Sequence, residues 1–232
     1  NFKKIDPGNK FPHIDNVDKA LTEPNLTCMF DSVIIATPTQ THYELVIKCL
    51  NAGKHVFCEK PLGNSYQINE CFQLAETKEI KLAIGFQKRF DKNYSEFINI
   101  LTKENNKHIT FITRDHPLPS IEYLKTSNGI VEDMLSHDID ISNIIMKNEK
   151  PSKVIAFANT TLPKLQEINE IEDISVMMFY NSGTTINIHG SRTAKYGYDQ
   201  RAEAYTGDYI VSMNNKLNSD VQITTSDGNK TD

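Results

Sequence analysis

Apolar positions fall in short bursts of two alternating kinds. Asp31-Ser32-Val33-Ile34-Ile35-Ala36 is a β-branched run that Thr37-Pro38-Thr39 breaks, which predicts a strand buried on both faces of a parallel sheet. Over residues 40–51 the apolar side chains Leu45, Val46, Cys49 and Leu50 take helical spacing, and Ala52-Gly53-Lys54 ends the stretch. The same alternation repeats as a strand at 55–58, a helix at 65–78 with Ile68, Cys71, Phe72 and Ala75 on one face, and a strand at 81–85. Strands alternating with helices build right-handed βαβ units, so residues 1–86 are expected to form part of a doubly wound parallel sheet.

From residue 87 the pattern changes. An amphipathic helix is predicted at 92–102, a strand at 108–114, a proline-marked loop at His116-Pro117-Leu118-Pro119 and a helix over 129–146. Alternating β-branched and aromatic residues then predict strands at 154–161, 174–180, 184–190 and 202–205, with Asn181-Ser182-Gly183 as a turn. The fold class is therefore α/β: a parallel sheet followed by an α+β domain, residues 87–232, with a largely antiparallel open sheet. The acidic stretch at 167–173 reads as a solvated loop, and the polar tail from Asn214 as loosely ordered.

Charge narrows the classes of partner. The 232 residues carry a formal net charge of −5 with no basic stripe, which argues against nucleic acid. No apolar run approaches the ~18 residues of a membrane span, and Asn1-Phe2-Lys3-Lys4-Ile5-Asp6-Pro7-Gly8 lacks a signal peptide's apolar core, so the cytosol is the expected compartment. Cys28, Cys49, Cys58 and Cys71 show no C-x-x-C spacing and lie in or beside apolar stretches; they read as reduced packing residues, and no metal site is expected.

Two short segments carry candidate chemistry. Asp133 and His137 stand four apart in the stretch predicted as one helix, which places them on one face, where a carboxylate can orient an imidazole whose far nitrogen accepts a proton. Glu59-Lys60-Pro61 follows the strand at 55–58, and a lysine just past a strand end projects into a ligand crevice. Alone, an Asp-x-x-x-His pair is most often a surface or capping contact, and a lysine beside proline is usually a solvated loop.

Their combination carries a resemblance. Val33-Ile34-Ile35-Ala36-Thr37-Pro38-Thr39 with His42, the run from Ala52 to Pro61, Gly85-Phe86-Gln87-Lys88-Arg89-Phe90-Asp91, the segment from Gly129 to Asp140 and Tyr196-Gly197-Tyr198-Asp199-Gln200-Arg201 resemble the Gfo/Idh/MocA family of nicotinamide-dependent oxidoreductases. Ala-Gly-Lys-His-Val-Phe-Cys-Glu-Lys-Pro is the specific piece, and Tyr-Gly-Tyr-Asp-Gln points to members acting on inositols. The resemblance implies a Rossmann-type first domain and oxidation of a secondary alcohol of a cyclic polyol, myo-inositol to its 2-keto form. Lys60, Asp133 and His137 would be the catalytic set, with His137 as base, Asp133 orienting it and Lys60 on the reacting oxygen. Ala36, Thr37, Pro38, His42 and Glu59 would contact NAD, with NADP left open. Arg89, His116 and Tyr198 (or Tyr196) would meet the polyol, although Lys88 competes with Arg89 in the match and Arg89 could pair with Asp91 or Glu132 instead. A homo-oligomer is implied as well.

The family's opening strand and Gly-x-Gly-x-x-Gly turn are not found in this sequence, nor are its closing helices. The expectation is a piece of a longer protein, with an uncovered apolar edge at residue 31 and weak NAD binding by itself. Other sugar or dihydrodiol oxidoreductases, or a non-catalytic sugar-binding homologue, stand as alternatives.

Overall fold

In the computed structural model, which describes residues 13–105, 107–194, 197–215, 222–225 and 230–231, the first three apolar runs pair as a parallel sheet. Its order is β1 (Ser32–Ile35), β2 (His55–Cys58), β3 (Leu82–Ile84). The helices His42–Asn51 and Ser65–Thr77 supply the cover. Asn64 starts the second with a capping box, its Oδ1 accepting from the Gln67 amide at 3.0 Å. Val46, Cys49, Leu50, Cys71 and Ala75 pack with Ile35, Val56 and Cys58 in one core.

Burial of β1 on both faces does not hold. Strand side chains alternate, so the covered side takes Ile35, Val56 and Cys58 while Ile34 is left 76% exposed, in register with the exposed Phe57 and Ala83. Among the described residues β1 is an edge strand. Cys49, Cys58 and Cys71 are buried free thiols, and burial first of all pushes Cys58 up to about 12 and Cys71 up to about 11. Cys28 departs from the packing role and is exposed.

The chain divides into two compact units between Gly85 and Phe86. The second is built on an eight-stranded sheet ordered β11-β10-β9-β8-β4-β7-β6-β5. Its strands are β4 (His108–Arg114), β5 (Lys153–Asn159), β6 (Asp173–Phe179), β7 (Thr185–Ser191), β8 (Asp199–Tyr205), β9 (Tyr209–Asn214), β10 (Gln222–Thr225) and β11 (Lys230–Thr231). All neighbours run antiparallel except β4 and β7, which are parallel. An inward/outward alternation looks the same in either direction, which is why the pattern could not supply that exception. The tail expected to be loosely ordered contributes β10 and β11 to the sheet.

One face of this sheet receives the helices Lys92–Leu101 and Ser136–Ile145. Phe97, Leu101, Ile141 and Ile145 close over Ile109, Phe111, Ile186, Ile188, Ala202 and Ala204, each large side chain so buried contributing roughly 1.5–3 kcal/mol. On the other face, toward β5, Phe157 and Met177 are exposed, with Asn187 and His189 on the same side by register. Among the described residues no helix is long and apolar enough to cross a membrane.

Two further expectations are corrected here. The stretch 129–146 is not one α-helix, because a π-turn at Val131–Leu135 precedes the α-helix Ser136–Ile145. The acidic stretch is not a solvated loop, since Glu170 and Glu172 are buried. An acidic run looks solvated only until its partners are seen, and here they are distant in sequence: Arg192 for Glu170, and Thr161, Leu162 and Thr193 for Glu172.

Candidate active site

In the first unit the candidates gather where the parallel strands end, the edge at which such sheets bind ligands. β1 stops at Ile35 and leaves Ala36, Thr37 and Pro38 exposed. Thr41 Oγ1 lies 2.7 Å from Thr37 Oγ1 and donates to the Pro38 carbonyl at 2.7 Å, shaping this loop. His42 opens the following helix and is fully buried, with Nδ1 2.8 Å from the Pro61 carbonyl oxygen and Nε2 2.8 Å from that of Thr37. Its ring therefore fastens the loop after β1 to the turn after β2.

That turn carries Glu59 and Lys60. The Glu59 amide donates to the Ile35 carbonyl at 2.9 Å, while its carboxylate accepts from the Lys60 amide at 3.3 Å. Gly85 leaves room for this carboxylate, because a Cβ there would stand 3.1 Å from Glu59 Oε2. Lys60 is half-buried and joined to Pro61 by a cis peptide.

In the second unit, Asn128 and Gly129 both take positive φ and turn the chain into the helical stretch that holds Asp133 and His137. The π-turn Val131–Leu135 contains Asp133, while His137 lies in the first turn of the α-helix that follows it. Leu135 of that turn packs against Gly190 of β7 so closely that a Cβ on Gly190 would collide with it. Asp133 and His137 are both buried, and the His137 ring meets Phe86 edge-on, 5.9 Å between centroids.

The surroundings of Asp133 were not visible in the sequence. Its Oδ1 accepts from the Tyr123 hydroxyl at 2.7 Å and its Oδ2 from Arg192 Nη1 at 2.7 Å. Arg192 follows β7, is entirely buried, and also donates through Nε to Glu170 at 3.0 Å and through Nη2 to Ser127 Oγ at 3.4 Å, with Asp115 at 3.5 Å. Burial opposes its charge, but Asp133 and Glu170 outweigh that and raise the guanidinium's pKa. Partial burial, and then the bond to Asp133, raises the Tyr123 phenol and keeps it a donor. The one signal in the sequence is an arginine directly after the strand Thr185–Ser191.

Of the substrate candidates, Arg89 pairs with Asp140 through Nε at 2.7 Å and through Nη2, not with Asp91 or Glu132, and its side chain is about half exposed. Lys88, its rival in the match, is buried: Nζ donates to Asp138 Oδ1 at 2.8 Å and to Gln200, and lies 5.0 Å from the Tyr94 ring centroid. His116 is exposed on its loop. Tyr198 is partly exposed, and burial, followed by the charges of Asp115 and Asp138, raises its phenol. Tyr196 lies outside the described residues.

Comparison with known proteins follows the same division. Residues 3–86 match the family model described as an oxidoreductase family with an NAD-binding Rossmann fold, and residues 107–208 match the GFO/IDH/MocA C-terminal domain. The chain is 32% identical over 203 residues to an inositol 2-dehydrogenase of Rhizobium meliloti, covering 85% of this chain and 61% of that protein. It is 32% identical to a myo-inositol 2-dehydrogenase of Thermotoga maritima, covering 97% of this chain and 66% of the relative. A solved structure of a probable dehydrogenase from Thermotoga maritima superposes with a TM-score of 0.80 at 29% identity, over 94% of this chain and 66% of that one. The chain thus spans about three fifths to two thirds of the length of these relatives.

Proposed function

Because the chain belongs to the Gfo/Idh/MocA oxidoreductase family, we propose that the complete protein is a cytosolic, homo-oligomeric NAD(P)-dependent dehydrogenase that oxidises a cyclic polyol, myo-inositol to its 2-keto form. The observation that carries this reading is the buried Asp133 and His137 on one helical segment, with Asp133 gripped at both oxygens. His137 takes the hydroxyl proton as general base, a role worth typically 10²–10⁴-fold in rate. Asp133 orients the imidazole. Lys60 is assigned the developing alkoxide, donating a hydrogen bond where negative charge collects.

The first unit suits a dinucleotide: Ala36, Thr37 and Pro38 are exposed at the carboxyl end of a parallel strand, and the Glu59 carboxylate sits in the space Gly85 leaves. When bound, the nicotinamide accepts the hydride from the carbinol carbon. Arg89, His116 and Tyr198 supply the donors and acceptors that a polyol needs.

The test is NAD reduction by the complete protein with a panel of inositols, linear polyols and aldoses. Turnover led by myo-inositol is expected. Turnover confined to an aldose removes the substrate assignment, and none with any alcohol removes the enzyme.

A further inference from the structure

We propose that Tyr123 and Arg192 are positioning residues for this reaction, gripping opposite oxygens of Asp133 and so fixing the turn that leads into His137; the inference rests on the function read above. A carboxylate held at Oδ1 by a phenol and at Oδ2 by a guanidinium, each at 2.7 Å, cannot rotate about its own axis without breaking a charge-assisted bond. Arg192 is itself fixed from other segments: Glu170 just before β6, Ser127 after the helical turn Ile121–Leu124, and Asp115 just after β4. Two side chains thus hold the oxygen pair, and three further contacts hold the arginine that makes one of those bonds.

Stability alone is a poor account of this arrangement. A buried ion cluster is often no better than apolar packing of the same volume, so its presence points to placement rather than strength. Its location agrees, because the π-turn holding Asp133 is a backbone irregularity of the kind that occurs at working sites. The two donors also spread the negative charge of Asp133, so the imidazole of His137 feels a weaker field than a bare carboxylate would give. Two other carboxylates on this segment are engaged elsewhere, Asp138 with Lys88 and Asp140 with Arg89, and Glu132 is the remaining one.

The test is a double-mutant cycle in the complete protein. Tyr123 is about half exposed, so Tyr123→Phe should fold normally. It should lower kcat about tenfold with both KM values within about twofold. In an Asp133→Asn background the same change should alter kcat by less than about twofold, since its target is gone. Arg192→Lys should retain more activity than Arg192→Met, because it keeps the charge and loses only the fork. Equal losses from Tyr123→Phe in both backgrounds, or none in the wild-type background, overturn the inference. A second measurement does not depend on turnover: NMR titration of the His137 imidazole in the complete protein. Tyr123→Phe should raise its midpoint by about 0.5 pH units, and should not do so with Asp133→Asn. If the complete protein oxidises no polyol, the functional reading has failed, and an unmoved His137 midpoint separately refutes the positioning role.

Discussion

Two buried cations flank the same helical segment and are held in opposite ways. Lys88 meets one carboxylate, Asp138 at 2.8 Å, and fills its other valences with Gln200 and the Tyr94 ring. Arg192 faces three carboxyl groups, Asp133 at 2.7 Å, Glu170 at 3.0 Å and Asp115 at 3.5 Å. The lysine cluster is matched one to one and topped up by neutral groups, Thr113 of β4 also donating to Asp138. It ties the turn at Gln87–Phe90 to β4, β8 and the helix Ser136–Ile145. The arginine cluster has more acid than base and ends on Asp133, the side chain proposed above to orient the base. The difference teaches that burial and pairing alone do not mark a working charge. What sets Arg192 apart is a fork that ends on Asp133, in the turn just before His137, the base of the proposed reaction.

The contrast breaks most directly at its two ends. His137→Gln in the complete protein should lower kcat by about 10²–10⁴-fold with NAD affinity and thermal midpoint nearly unchanged. Lys88→Met should do the reverse. It leaves Asp138, fully buried, without its cation and should cost about 3–5 kcal/mol in urea unfolding, while the folded enzyme keeps kcat within about threefold. A Lys88→Met protein that is stable but as slow as His137→Gln would merge the two clusters into one catalytic network.

How much of this was legible in the sequence follows the range of the interactions. The strands of the first unit rest on local periodicity, and β1, β2 and β3 fall within the runs expected at 31–36, 55–58 and 81–85. Asp133 and His137 stand out in the sequence as candidates by their spacing, and Lys60 by its place just past a strand end. The grip on Asp133 does not, because Tyr123, Glu170 and Arg192 are brought together by the turn after β4, the entry to β6 and the exit of β7. β9 escaped for a different reason: in Tyr209-Ile210-Val211-Ser212-Met213 only Val211 and Met213 are buried, too few to show a period. The π-turn leaves no compositional trace.

The finest test of the contrast is Glu172, two residues from Glu170 yet held by neutral donors. Its Oε2 accepts from the Thr161 amide at 2.7 Å, the Thr161 hydroxyl at 2.8 Å and the Leu162 amide at 3.0 Å, and its Oε1 from Thr193 at 3.2 Å. Burial pushes the carboxyl up, but these bonds outweigh it and hold its pKa below the usual range. The unfolded chain therefore binds this proton at higher pH than the native chain does. The contribution to stability is complete well above the unfolded value, about 4.3, and disappears as pH falls through the lower native one. Glu172→Gln should cost about 1 kcal/mol at pH 7 and less than that at pH 3, giving a flatter acid limb in urea midpoints. Its kcat should match the wild type, since this carboxylate does not touch the guanidinium that grips Asp133. A Glu172→Gln enzyme with normal stability but a kcat as low as that of Tyr123→Phe would show that the whole acidic stretch, and not the fork alone, sets the position of the base.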